Sequence, residues 1–219
     1  SAVKSYKTAI SNDPTRISTY LKLANTQNTT SAFKTLFKAL EQDSDNPFVH
    51  LRIAKLFLAD SQDSLACEHF NRAAEESIGR MSSLRAKAKE ALDGNQFHLS
   101  RSLEDQACEI AVHRAEALFQ LGLLFLNDPL TARKYFETAI STFPEHADSF
   151  HQLAIIQNTE GDSEAAIESL RKSVEIEIQN SEAHYLLAQL LLAAGETEMA
   201  RNHFLITLDL EPRHKKAIK

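Results

Sequence analysis

The chain has 219 residues, 43% hydrophobic and 25% charged, a globular balance that excludes intrinsic disorder. Its formal net charge of -6 argues against nucleic acid as the main partner, because backbone binding rests on clustered Lys and Arg. No apolar run approaches the roughly 20 residues needed to cross a bilayer, and no secretory signal is visible at the N-terminus. Cys67 and Cys108 stand far apart, in no metal spacing, and read as free thiols. The expectation is a cytoplasmic protein with no membrane insertion.

Taken in order, the chain reads as helix after helix. Residues 1–16 form the second helix of a truncated repeat, since Ala2, Tyr6, Ala9 and Pro14 keep the spacing of Ala200, Phe204, Thr207 and Pro212. An incomplete first repeat suggests a fragment of a longer protein, or a helix serving as a cap. Residues 17–46 are a shortened pair, marked by Tyr20, Leu23 and Ala24 and then by Ala32, Leu36 and Ala39, with the polar stretch NTQNTTS as turn. Residues 47–80 are full length: Pro47 suits a first helical position, and Ser61 stands where a turn glycine is expected.

Residues 81–114 are the weakest repeat. Lys87 and Glu104 fall at apolar places, although Asp93-Gly94-Asn95 is a good turn signal. No proline or glycine lies between Leu99 and Leu121. A degenerate repeat with a tight break near His113 is the first reading, and a longer helix or inserted pair is the second. Residues 115–146 return to pattern around Leu121-Gly122, the turn Asn127-Asp128-Pro129, and Ala132, Phe136, Ala139 and Pro144.

The last two repeats, 147–180 and 181–214, superpose without a gap. Leu153-Ala154 falls on Leu187-Ala188, Gly161 on Gly195, Ala166 on Ala200 and Leu170 on Phe204. Residues 215–219 are a polar tail or the start of a further helix. Two amphipathic helices per repeat, each unable to bury its apolar face alone, imply a stacked array.

The pattern of Leu187, Ala188, Ala200, Phe204 and Pro212, with His184 at a place that normally holds an aromatic, resembles the tetratricopeptide repeat. The resemblance covers most of the chain. It implies an all-α, right-handed superhelical solenoid of antiparallel helix pairs, and a non-catalytic scaffold that binds a partner's peptide or helical segment on its concave face. The alternative is a structural or self-associating (homo-oligomeric) module, or the supporting arm of a larger complex or multidomain enzyme. By register, the concave face would carry Asn25, Arg52, Lys55, Phe119, Gln120, His151, Gln152, Tyr185 and Gln189, among apolar neighbours such as Leu21, Leu51 and Ile155. Amides can pair with a peptide backbone and apolar pockets can hold its side chains. The family's clamp for chaperone C-terminal carboxylates is not matched: Asn25 fits, but Leu21 replaces its lysine and Arg52 its asparagine.

No catalytic motif stands out: there is no phosphate loop, nucleophile elbow or HExxH. The chain is therefore expected to be no enzyme and to need no cofactor or metal. Nine histidines tempt a metal reading. His184 and His203, on two helices of one repeat, could lie close, yet their places suit packing or solvent exposure better than ligation.

Overall fold

The periodicity resolves into eleven helices, and no other regular element, in a computed structural model that describes residues 2–212. The tail expected at 215–219 lies outside the described residues. The chain divides into two compact units, 1–124 and 125–219. The N-terminal unit holds α1 (Ala2–Asn12), α2 (Ile17–Ala24), α3 (Thr29–Leu40), α4 (Pro47–Ala59), α5 (Asp63–Asp93) and α6 (Phe97–Leu124). The C-terminal unit holds α7 (Pro129–Thr142), α8 (Ala147–Thr159), α9 (Ser163–Ile176), α10 (Ser181–Ala193) and α11 (Thr197–Leu210). Within each unit consecutive helices pack on one another, as the all-α repeat reading requires.

Helix starts are written in short polar side chains. Asn28, Asn46, Asp128, His146, Asp162 and Asn180 each accept a hydrogen bond from the backbone N–H three residues on, satisfying a donor the helix cannot. Pro47 and Pro129 follow two of these caps in the first turn, where a missing N–H costs nothing.

Four turns share one closure. Ser61, Asn95, Gly161 and Gly195 take left-handed backbone, with φ of 56°, 58°, 86° and 84°. The next N–H then bonds to the carbonyl five residues back: Gln62 to Phe57, Gln96 to Ala91, Asp162 to Gln157 and Glu196 to Leu191. At the Asp93-Gly94-Asn95 turn it is Asn95, not Gly94, that turns left-handed. Side chains resist this conformation, so Gly161→Ala is expected to cost about 1–2 kcal/mol although open space surrounds the new Cβ. Urea unfolding checks this; an unchanged midpoint would contradict the strain.

The core of the N-terminal unit gathers Tyr20, Ala24, Leu36, Val49 and Ile53, with the rings of Phe33 and Phe57 4.6 Å apart beside it. A second cluster, Met81, Ile110 and Ala111 with Phe48 and Leu84, joins the later halves of α5 and α6 to the start of α4. In the C-terminal unit Ala154, Ala166, Leu170, Ala183, Leu187, Leu191 and Ala200 interlock.

One expectation needs correction. The boundaries expected at Arg80/Met81 and Arg114/Ala115 fall inside α5 and α6, so 81–114 is not set off as a repeat of its own. Its internal turn is present at Asn95, but the turns on either side are replaced by continuous helix, which is the second of the two readings. The reason is missing punctuation. Neither junction has a proline or an Asn/Asp cap, so nothing diverts the backbone hydrogen-bond ladder. Gly79 sits exposed within α5 without ending it. The Arg114 Nε donates to the Ala74 carbonyl at 3.1 Å, tying α6 to α5, and Arg80 meets Asp43 at 2.7 Å, tying the long hairpin to the turn before α4.

Candidate functional site

The middle of α6 helps wall a groove in the N-terminal unit. The groove runs beside α2 and α4 and encloses about 540 Å³, walled by α2, α4 and α6. Leu21, Phe48 and Leu51 give it apolar surface, while Asn25, Arg52 and Lys55 bring polar groups from one side and Glu109 and His113 from the other. Asn25 is the exposed C-cap of α2.

Arg52 is half-buried, and its Nε is shielded from solvent with no hydrogen-bond partner. A buried donor left unmet costs about 1–3 kcal/mol, so an acceptor supplied by a ligand would be favoured there. The Lys55 Nζ lies 2.7 Å from Glu116, whose carboxylate also accepts from the Gln120 amide at 3.2 Å. With side chains 40% and 27% exposed, that ion pair is worth at most about 1 kcal/mol and can exchange for another. The His113 Nδ1–H donates to the Glu109 carbonyl at 2.8 Å, and its ring meets the Phe48 ring edge-on at 4.7 Å.

Of the residues assigned to the concave face, the structure thus brings Asn25, Arg52 and Lys55 into one groove, with Gln120 linked through Glu116. Phe119 is only 9% exposed and serves packing. In the C-terminal unit Tyr185 is buried too. Its hydroxyl accepts from the Gln189 amide at 2.8 Å and its ring lies 5.9 Å from Phe204. Gln189 borders a small depression of about 110 Å³ with Ile155, Leu186 and Leu190. His151 and Gln152 are half-buried on α8; burial holds the His151 imidazole below its usual pKa, and its Nε2 has no partner.

The register argument missed Phe48, Glu109 and His113. Glu109 and His113 lie in the stretch read as the second helix of the 81–114 repeat, which the register argument did not place on the concave face. Among the described residues no three His, Cys, Asp or Glu side chains are grouped to hold a metal ion, and no helix is long and apolar enough to cross a membrane.

With this geometry in place, known proteins supply a comparison. The sequence profile of the tetratricopeptide repeat matches residues 121–183. A probable biofilm formation methyltransferase, WspC of Pseudomonas putida, is 36% identical over 70 residues, 32% of this chain and 16% of that protein. The chain therefore matches only a small part of that relative's length. Among solved structures, MamA covers 86% of this chain and 91% of its own with a TM-score of 0.56 at 18% identity. PilF of Pseudomonas aeruginosa covers 99% and 95% with a TM-score of 0.51 at 20% identity. At such identities the likeness speaks for the fold alone.

Proposed function

We propose that the chain, whose residues 121–183 match the tetratricopeptide-repeat profile, is a non-catalytic interaction scaffold that holds an extended segment of a partner protein. The observation that carries this reading is the groove lined by Asn25, Arg52 and Lys55, with an unmet buried donor at Arg52 and apolar surface at Leu21, Phe48 and Leu51. Such a combination suits a peptide: amide and guanidinium groups take backbone or carboxylate oxygens while an apolar side chain settles between the helices. Gln120 stands behind Lys55 through Glu116. The remaining concave-face assignments, Phe119, His151, Gln152, Tyr185 and Gln189, are secondary here, since two are buried and none lines this groove.

Selection of a peptide library on the immobilised chain, followed by calorimetric titration of the selected peptides, tests the assignment. Arg52→Glu is expected to weaken binding at least about tenfold, a loss of about 1.4 kcal/mol, with an unchanged melting temperature. Peptides that bind the variant as well as the parent would move the site elsewhere.

A second reading, self-association, draws on α11, where Met199, Leu205, Ile206 and Leu210 are exposed. Light scattering that gives a monomer at every concentration would remove it.

A further inference from the structure

The two compact units contain the same histidine arrangement. In the N-terminal unit the Nδ1 atoms of His50 on α4 and His69 on α5 lie 2.9 Å apart, and the His50 Nε2 is 2.9 Å from the Ser44 carbonyl. In the C-terminal unit the Nδ1 atoms of His184 on α10 and His203 on α11 also lie 2.9 Å apart, and the His184 Nε2 is 3.1 Å from the Ile178 carbonyl. Each pair has the same spacing in sequence, and each carbonyl belongs to the residue six before the first histidine. His50 and His184 are 1% and 4% exposed; their partners are half-buried.

Hydrogen-bond logic assigns the protons. A carbonyl only accepts, so His50 and His184 carry their hydrogen on Nε2. Their Nδ1 atoms are then acceptors, and His69 and His203 donate to them from Nδ1–H. A first proton can settle on Nε2 of His69 or His203 and leave that bond intact. A second has only the Nδ1 of His50 or His184 to go to. There it sets two N–H groups against each other and leaves two adjacent positive rings between packed helices.

We propose that the two histidine pairs are proton-operated clasps, which keep α4 on α5 and α10 on α11 while each carries at most one proton and release them when each takes up a second. The surroundings set the threshold. Asp45 ahead of α4, and Glu68 and Glu76 on α5, favour protonation of the first pair; Arg72 on α5 opposes it. Phe37 of α3 and Phe57 of α4 contact the His69 ring without adding charge. The second pair faces Arg171 of α9, which opposes its protonation while itself bonded to Glu196 at 3.4 Å.

Burial holds all four imidazoles below their ordinary range, and within the first pair burial together with the nearness of the other ring brings the second proton uptake down to about 4. Folded-state values lowered in this way fix the sign. The contribution is complete above about pH 6.5, where unfolded histidines are neutral too, and is lost as the pH falls from there towards about 4.

Long-range nitrogen–proton spectra of the histidine rings in the unmodified chain at pH 7.5 are the first test. They should show His50 and His184 with hydrogen on Nε2, and His69 and His203 with hydrogen on Nδ1. One common tautomer for all four would overturn the proposal. The second test follows unfolding from pH 7.5 to 4.5 in the parent and in the double variant His69→Gln, His203→Gln, whose amides can still donate to Nδ1 but cannot take a proton. Each histidine neutral only in the folded chain raises the unfolding constant roughly tenfold per pH unit. The variant's rise should therefore be at least about tenfold shallower per unit, and an equal slope would refute the clasp. Should the variant not fold, the ring spectra of the parent decide.

Discussion

Replacing Leu187 by alanine is expected to destabilise the C-terminal unit by about 2–5 kcal/mol. Leu187 is fully buried in α10, within a cluster whose other members include four alanines, Ala154, Ala166, Ala183 and Ala200. The alanines have no side chains that could swing in, and Leu170 and Leu191 are themselves fully buried in the packing, so much of the vacated space would persist as a cavity whose cost adds to the lost transfer energy. The same change at Leu192, 51% exposed on the same helix, should shift stability by no more than about 0.5 kcal/mol. Urea unfolding of both variants measures the contrast. Equal effects would mean that the periodicity of α10 does not select the core face.

The second large effect is expected at the fused helix. Ser82→Pro places a proline in the interior of α5, where it removes a hydrogen bond and collides with the preceding turn, at a cost of about 3 kcal/mol or more. Ser82 is exposed, so the loss is not one of packing. Were a new helix to begin at Met81, position 82 would lie in its first turn and proline would be tolerated there. Gly79→Ala makes the opposite test, since an exposed helical glycine with open space around it should gain about 1 kcal/mol on becoming alanine. Unfolding midpoints that moved little for proline and fell for alanine would restore a break at this junction.

Much of the fold was legible because helix packing leaves a coarse periodic trace. Ala24, Ala32, Ala39, Ala132, Ala139, Ala154, Ala166, Ala188 and Ala200, picked out by register, are all buried, as is Phe136, whereas Tyr6 and Phe204 are half-buried. The left-handed residue at Ser61 was visible as a substitute for glycine. The fusions that lengthen α5 and α6 were harder to read, because repeat spacing says where a helix could end and only caps and prolines say that it does. The candidate site divides along the same line. Asn25, Arg52 and Lys55 follow from helix register, but the third wall comes from the middle of α6, a stretch read as the second helix of a repeat, and so Glu109 and His113 were not assigned to the face. Tyr185 looked like a surface aromatic, whereas its ring packs near Phe204 with its hydroxyl met by Gln189. The proximity of His184 and His203 was foreseeable from their two helices; the proton arrangement between them needed atomic distances.

The uninterrupted α5–α6 hairpin has a consequence for how the N-terminal unit opens. A stacked repeat array frays joint by joint, because each boundary lets one segment detach while its neighbour stays folded. Two such joints are absent between Asp63 and Leu124, where single helices run through them. α5 and α6 are therefore each expected to open as one unit through these positions, and the groove wall on α6 to persist for as long as that helix does.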